Sequence, residues 1–281
     1  MRRYSRSFSR ILTALLCALI LLPLAADAQK KKGGKKGGKD KGNQQQPQDN
    51  QQAPPPGGGQ SSPPPAAVFT VDRKLWEHRT SEARSAVQSV ADQADNNGAV
   101  SMALGRVLEQ EQKYGEAEAK LRRATELSPS DPAPQVWLGE VLLRERNSGG
   151  ADAAFRRAAD LASGSGSDYY LGVAKMRLRQ FDEAVGALER ARGADGGNAL
   201  IPYQIGVTRL FQEQWQPAFD QLNRALDMDP GLAYGYYYRG LAAEKLDRKD
   251  VLVNDMSRFV ELAPNAPEAE RAKAILRAVK K

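Results

Sequence analysis

The 281-residue chain carries a formal net charge of +7, is 27% charged and has one cysteine (Cys17) and one histidine (His78). That inventory excludes a disulfide framework, a histidine-built metal centre and Cys–His nucleophilic chemistry, and no cofactor is expected. The charge is uneven: four arginines against Asp27 give residues 1–28 +3, and seven lysines against Asp40 and Asp49 give residues 29–67 +5. Residues 68–281 keep −1, so a basic nucleic-acid-binding body is not expected and neither is a nucleic-acid partner.

The chain opens with Arg2, Arg3, Arg6 and Arg10, runs apolar from Ile11 to Leu22, breaks at Pro23 and offers Ala26-Asp27-Ala28 as a small-x-small site. Basic region, short apolar core and cleavage tripeptide predict a secretory signal peptide over 1–28, hence an exported, periplasmic protein. The lysines that follow (Lys30, Lys31, Lys32, Lys35, Lys36, Lys39 and Lys41) resist translocation, so a second reading keeps the leader as an uncleaved membrane anchor. From Gln29 to Ala67 the composition passes from Lys/Gly through Gln/Asn to Pro/Gly/Ser and predicts a disordered tether. Its lysines suit an anionic envelope polymer or lipid headgroups as partner, and equally a solvated spacer. Gly33 to Lys39 imitates a phosphate loop, but Asp40 replaces the hydroxyl residue that would bind magnesium.

Asp72–Asp95 reads as helical, with His78 expected at its surface. Beyond it a glycine recurs at Gly105, Gly139, Gly172, Gly206 and Gly240, at intervals of 34, 33, 34 and 34. Twelve residues after the first four stand Ala117, Ala151, Ala184 and Ala218, and nineteen after stand Ala124, Ala158, Ala191 and Ala225. Sixteen after sit the bulky Leu121, Phe155, Leu188 and Leu222, and prolines close three units at Pro129, Pro230 and Pro264. Small residues at three places let paired helices approach, and the bulky one fills the layer between them.

This pattern resembles the tetratricopeptide repeat family over residues 97–264. The resemblance implies an all-α fold, an α-solenoid of about five helix-turn-helix repeats with capping helices. Residues 68–96 are then a capping helix or half-repeat, with Ala83, Val87 and Val90 at second-helix positions, and residues 265–281 a closing helix. Leu252, Met256 and Phe259 break the small-large-small rule in the last unit and predict either an outward-displaced helix or a final helix seated differently. Ser163–Ser167 and Gly193–Gly197 are expected as soft joints.

The resemblance also implies a concave groove that binds a protein or peptide segment. Three residues before each glycine it assigns Met102, Val136, Tyr169, Tyr203 and Tyr237, and one residue after, Arg106, Glu140, Val173, Val207 and Leu241. The three tyrosines are expected to stack as a ladder that either contacts the ligand or packs between neighbouring first helices with only the hydroxyls exposed, and Tyr234, Leu200, Met176 and Leu210 add apolar surface. Trp137, Tyr170 and Tyr238 are assigned to packing between helices, as is Trp215. Co-chaperones that clamp a C-terminal carboxylate carry lysine and asparagine at these positions, so that specificity is not implied here. No constellation for catalysis or metal binding is present: Asp182-Glu183 and Glu116/Glu118 lie at helix starts, where negative charge suits the dipole. Two functions stay open, a scaffold that captures a segment in the groove and a tether held to an anionic surface by Lys30–Lys41.

Overall fold

The computed structural model describes residues 66–279. The predicted leader, Lys30–Lys41 and almost all of the predicted tether lie outside the described residues. Thirteen α-helices follow in order: α1 Ala66–Trp76, α2 Thr80–Gln88, α3 Gly98–Gln110, α4 Tyr114–Leu127, α5 Pro132–Arg144, α6 Ser148–Ser165 and α7 Asp168–Arg177. They continue with α8 Phe181–Ala194, α9 Leu200–Phe211, α10 Trp215–Met228, α11 Ala233–Lys245, α12 Lys249–Leu262 and α13 Ala269–Val279. A short 3-10 turn, Ala91–Gln93, joins α2 to α3.

Each pair from α1–α2 to α11–α12 is a helical hairpin, and the pairs share one turn. Its central residue adopts a left-handed backbone at His78, Gln112, Arg146, Arg179, Glu213 and Asp247, with φ between 54° and 62°. The next N–H reaches back five residues to close the first helix, as in Lys113 to Leu108 O at 2.9 Å, Asn147 to Leu142 O at 2.8 Å and Gln214 to Arg209 O at 2.9 Å. This is a Schellman closure built on residues with a Cβ, where glycine is the unstrained choice. Gln112→Gly and Glu213→Gly should therefore each raise stability by about 0.5–1 kcal/mol in urea unfolding.

The periodic glycines explain how tightly the hairpins close. A Cβ at Gly139 would stand 2.6 Å from Phe155 Cε1, and one at Gly206 2.6 Å from Leu222 Cγ. Leu121, Phe155, Leu188 and Leu222 are buried to 1% exposure or less, each stabilising the layer by about 1.5–3 kcal/mol.

Residues 68–96 hold a complete hairpin rather than a lone cap. Val71 occupies the glycine register of α1 and the small Val87 the bulky register of α2, both fully buried, so one mid-sized pair replaces the glycine–leucine pair. Ser163–Ser165 extend α6, which stops at Gly166 with φ 69°, so the soft joint expected there is helix almost to its end. In the last unit Leu252, Met256 and Phe259 are buried beneath α11 and α13.

Candidate functional site

The first helices α3, α5, α7, α9 and α11 line the inner face of the solenoid. With the α1–α2 turn and the loop 263–268 they line a partly open cavity of about 400 Å3. Its aromatic wall is continuous. Trp76 lies edge-on to Trp137 at 6.0 Å and to Tyr203 at 6.1 Å, Tyr203 meets Tyr238 at 6.1 Å, and Tyr238 meets Tyr234 at 6.1 Å. His78 closes the row at 5.0 Å from Tyr234. Centroid spacings of this size are those of attractive edge-to-face and offset pairs.

The first unit thus touches the last. His78 and Trp76 reach α11 and α9, while Arg144 of α5 lies 3.7 Å from Glu268 of the C-terminal loop and Tyr234 donates its hydroxyl hydrogen to Glu268. These contacts bridge one side of the inner face, and the cavity stays partly open to solvent.

Seven of the ten residues assigned to the groove line this chamber: Arg106, Val136, Glu140, Tyr169, Val173, Tyr203 and Val207. Met102, Tyr237 and Leu241 do not. Met102 packs into the core formed with the first hairpin. Tyr237 is 3% exposed and lies 4.9 Å from Phe259, which stands where other units carry alanine and gives the ring an aromatic seat behind the wall. Leu241 belongs to that same buried cluster under α13. The expected ladder Tyr169–Tyr203–Tyr237 is replaced by the row through Trp76 and Tyr238. Trp137, Tyr170 and Tyr238, assigned to packing, face the chamber, as do Tyr234 and Met176, whereas Leu200 and Leu210 are half-buried and pack against the core away from it. His78 is in a turn and largely covered, not on the surface of a helix.

Charged groups stud the aromatic wall. Arg106 is 5% exposed, lies 3.9 Å over the Trp137 ring and pairs with Asp72, yet its Nε is buried with no hydrogen-bond partner. Arg177 Nε donates to Glu140 at 2.5 Å. Arg144 stands between Glu109 at 3.6 Å and Glu268 at 3.7 Å, too far from either for a hydrogen bond. Glu109, Arg144 and Arg177 sit four or five residues after their glycines, one turn beyond positions the sequence did flag, and helical spacing could have found them. Trp76, His78 and Glu268 carry no such signal, because they arrive from the first hairpin and from the loop after the last.

Burial pushes the Tyr170 hydroxyl up to about 12 and raises those of Tyr169, Tyr203, Tyr234 and Tyr238, so all five are neutral phenols in ordinary solution. Burial likewise lowers His78, against the opposing pull of Glu268, and keeps its imidazole neutral. Among the described residues no group of His, Cys, Asp and Glu is arranged to hold a metal ion.

Glu109 gives the chamber a pH dependence of known sign. Burial raises its carboxyl above 4.5, and this outweighs the attraction of Arg144. The unfolded chain ionises this group first, so folding loses stability as pH climbs from 4.5 through the folded value. Glu109→Gln should unfold at a higher urea midpoint than the parent at pH 8, and the gap should close by about pH 4.

A tetratricopeptide repeat model matches residues 77–132. Among solved structures, the Cut9–Hcn1 hetero-tetramer of the APC/C superposes with a TM-score of 0.55 at 18% identity, over 76% of this chain and 43% of that one. The present chain thus spans less than half the length of that relative. TTC0263, a thermophilic TPR protein of Thermus thermophilus, superposes with a TM-score of 0.52 at 18% identity, over 65% of this chain and 98% of that one. Both likenesses show the fold: the chain is an α-solenoid of tetratricopeptide-type repeats. No functionally curated protein matches the sequence.

Proposed function

We propose that this solenoid is a non-enzymatic scaffold that captures a segment of a partner protein in its inner chamber. One observation carries the reading: Trp76, Trp137, Tyr170, Tyr203, Tyr234 and Tyr238, drawn from five of the six hairpins, converge on a single cavity. Rings with polar tips offer large contact area at low entropic cost, which suits recognition.

The test is capture of partner from cell extract by the full chain carrying Trp137→Ala, Tyr203→Ala and Tyr238→Ala. Capture should fall at least about 100-fold, the size expected when several aromatic anchors are lost, while helicity is retained. Undiminished capture by a folded triple variant contradicts the reading. In the cell envelope the same scaffold would be delivered by the leader, and the seven lysines Lys30–Lys41 favour an accompanying hold on an anionic surface. Deleting residues 29–67 and following salt-dependent retention on isolated envelopes separates that hold from segment capture.

A further inference from the structure

We infer that the first hairpin, α1–α2, is a gate on the chamber, held shut by ring contacts to the last two hairpins and opened in mild acid by protonation of His78. The inference goes beyond segment capture, because it concerns how the chamber is entered, whatever enters it.

The hairpin is fastened on one side only. Towards α3 it is bonded: Asp72 pairs with Arg106, and the Leu75 carbonyl accepts from Gln110 at 2.7 Å. Thr80 donates to the Gln110 side chain at 2.9 Å, and Arg84 Nε donates to Glu111 at 2.7 Å. Across the chamber, among the described residues, no hydrogen bond or ion pair joins α1–α2 to α9–α13. The far contact is made of surfaces alone. Trp76 lies edge-on to Tyr203 at 6.1 Å, and His78 is 5.0 Å from Tyr234. Glu77 lies against Gly231, where a Cβ would stand 3.4 Å from Glu77 Cγ. Ring pairs of this kind are individually weak, so the far side can part without breaking a polar bond. Residues of α1–α2 form one wall of a cavity that is already partly open, and lifting them widens its entrance.

His78 sits where a charge would act on that contact. It is the chain's only histidine and the central residue of the α1–α2 turn. The charged and titratable groups about it come from every side: Glu77 and Arg79 on its own turn, Tyr234 on α11, Glu268 on the loop 263–268, Glu109 on α3 and Arg144 on α5. Glu77 and Arg79 pair with each other at 3.4 Å, and Glu109 faces Arg144 at 3.6 Å. Glu268 is the carboxylate that would welcome an imidazolium, and it is already engaged. It accepts the Tyr234 hydroxyl hydrogen and faces Arg144 at 3.7 Å. A proton on His78 therefore puts a charge into a ring contact with no free counter-charge. Swinging the turn out into water relieves that cost.

The sign follows from linkage. In the shut form burial lowers His78 despite the pull of Glu268, and in the open, solvated form it returns towards 6.5. The open form binds the proton more readily, so it gains as pH falls through 6.5, and neutral solution keeps the gate shut.

The experiment uses the full chain with Cys17→Ser, Ser81→Cys and Asn265→Cys, spin-labelled at 81 and 265, two exposed positions that face each other across the chamber lining. At about pH 7.5 one short distance should dominate, and a longer one should grow below 6.5 by up to about tenfold per pH unit, the limit for one linked proton. His78→Phe keeps a ring against Tyr234, and His78→Asn suits the left-handed turn; each should give distances that do not change down to about pH 5. In the untagged parent the lone imidazole gives one histidine signal by NMR, which should titrate below 6.5. Unchanging distances in the parent, acid opening in either variant, or an imidazole that titrates at or above 6.5 overturns the gate. Photocrosslinking at position 203 scores capture separately. Its loss with the gate still moving sinks the capture reading alone, and its persistence with unmoved distances sinks the gate alone.

Discussion

Gly172→Val will destabilise the protein by about 3 kcal/mol or more and will abolish partner capture, the largest loss expected from one added side chain. A Cβ at this site would lie 2.5 Å from Leu188 Cγ, 2.9 Å from Leu188 Cδ2 and 3.1 Å from the Ala184 carbonyl oxygen. Leu188 is fully buried, so it has nowhere to swing, and a backbone oxygen cannot yield without moving α8 bodily. The γ-methyls of valine add further volume. Separating α7 from α8 also carries Tyr169, Tyr170 and Val173 away from the chamber, so stability and capture fall together. The contrast is Gly164→Ala. That glycine is helical, with nothing within 4 Å of its Cβ position, and the change should raise stability by about 0.5–1 kcal/mol. Urea unfolding of the two variants separates the effect of close approach from the effect of losing a glycine.

Asp255→Ala should cost about 3–5 kcal/mol by stranding Arg239. Asp255 accepts two bonds from that guanidinium, from Nε at 2.9 Å and from Nη2 at 2.8 Å, and its side chain is only 3% exposed. Without it Arg239, itself 16% exposed, keeps Asn223 at 2.7 Å as its remaining bonded partner. The pair ties α11 to α12 next to Tyr238. Replacing both partners, Asp255→Leu with Arg239→Met, should recover most of the loss, because the attraction barely offsets taking two charges out of water. Burial raises the Asp255 carboxyl despite Arg239, which agrees with that balance. A double variant no more stable than Asp255→Ala would mean that the pair is irreplaceable, contrary to this account.

The repeat was readable in the sequence because it is enforced by contact. Gly105, Gly139, Gly172 and Gly206 each face a bulky residue sixteen positions on, and no other residue fits at that distance. The turn register was not readable. His78, Gln112, Arg146, Arg179, Glu213 and Asp247 share a backbone conformation but no chemistry, since the Schellman bonds are made by backbone groups. The first hairpin escaped for a related reason: Val71 with Val87 does by mutual compromise what glycine with leucine does elsewhere.

The chamber was legible in part. Its middle helices present residues at the positions the repeat pattern assigns, so Val136, Tyr169, Val173 and Tyr203 could be named in advance. Tyr237 could not be placed, because Phe259 draws it backward, although the sequence had marked Phe259 as out of pattern. The meeting of Trp76 and His78 with α9 and α11 depends on a small rotation accumulated over six hairpins, which no local spacing encodes. The tether's lysines lie outside the described residues, and their role stays a proposal.

The most direct test places a photoreactive residue at position 203, in the chamber wall, and another at position 143, where Leu143 is exposed. Irradiation of intact cells followed by mass spectrometry should yield a partner protein joined to position 203, through one defined segment, and none through position 143. Equal yields from both positions, or adducts from position 143 alone, would place recognition outside the chamber and contradict the account.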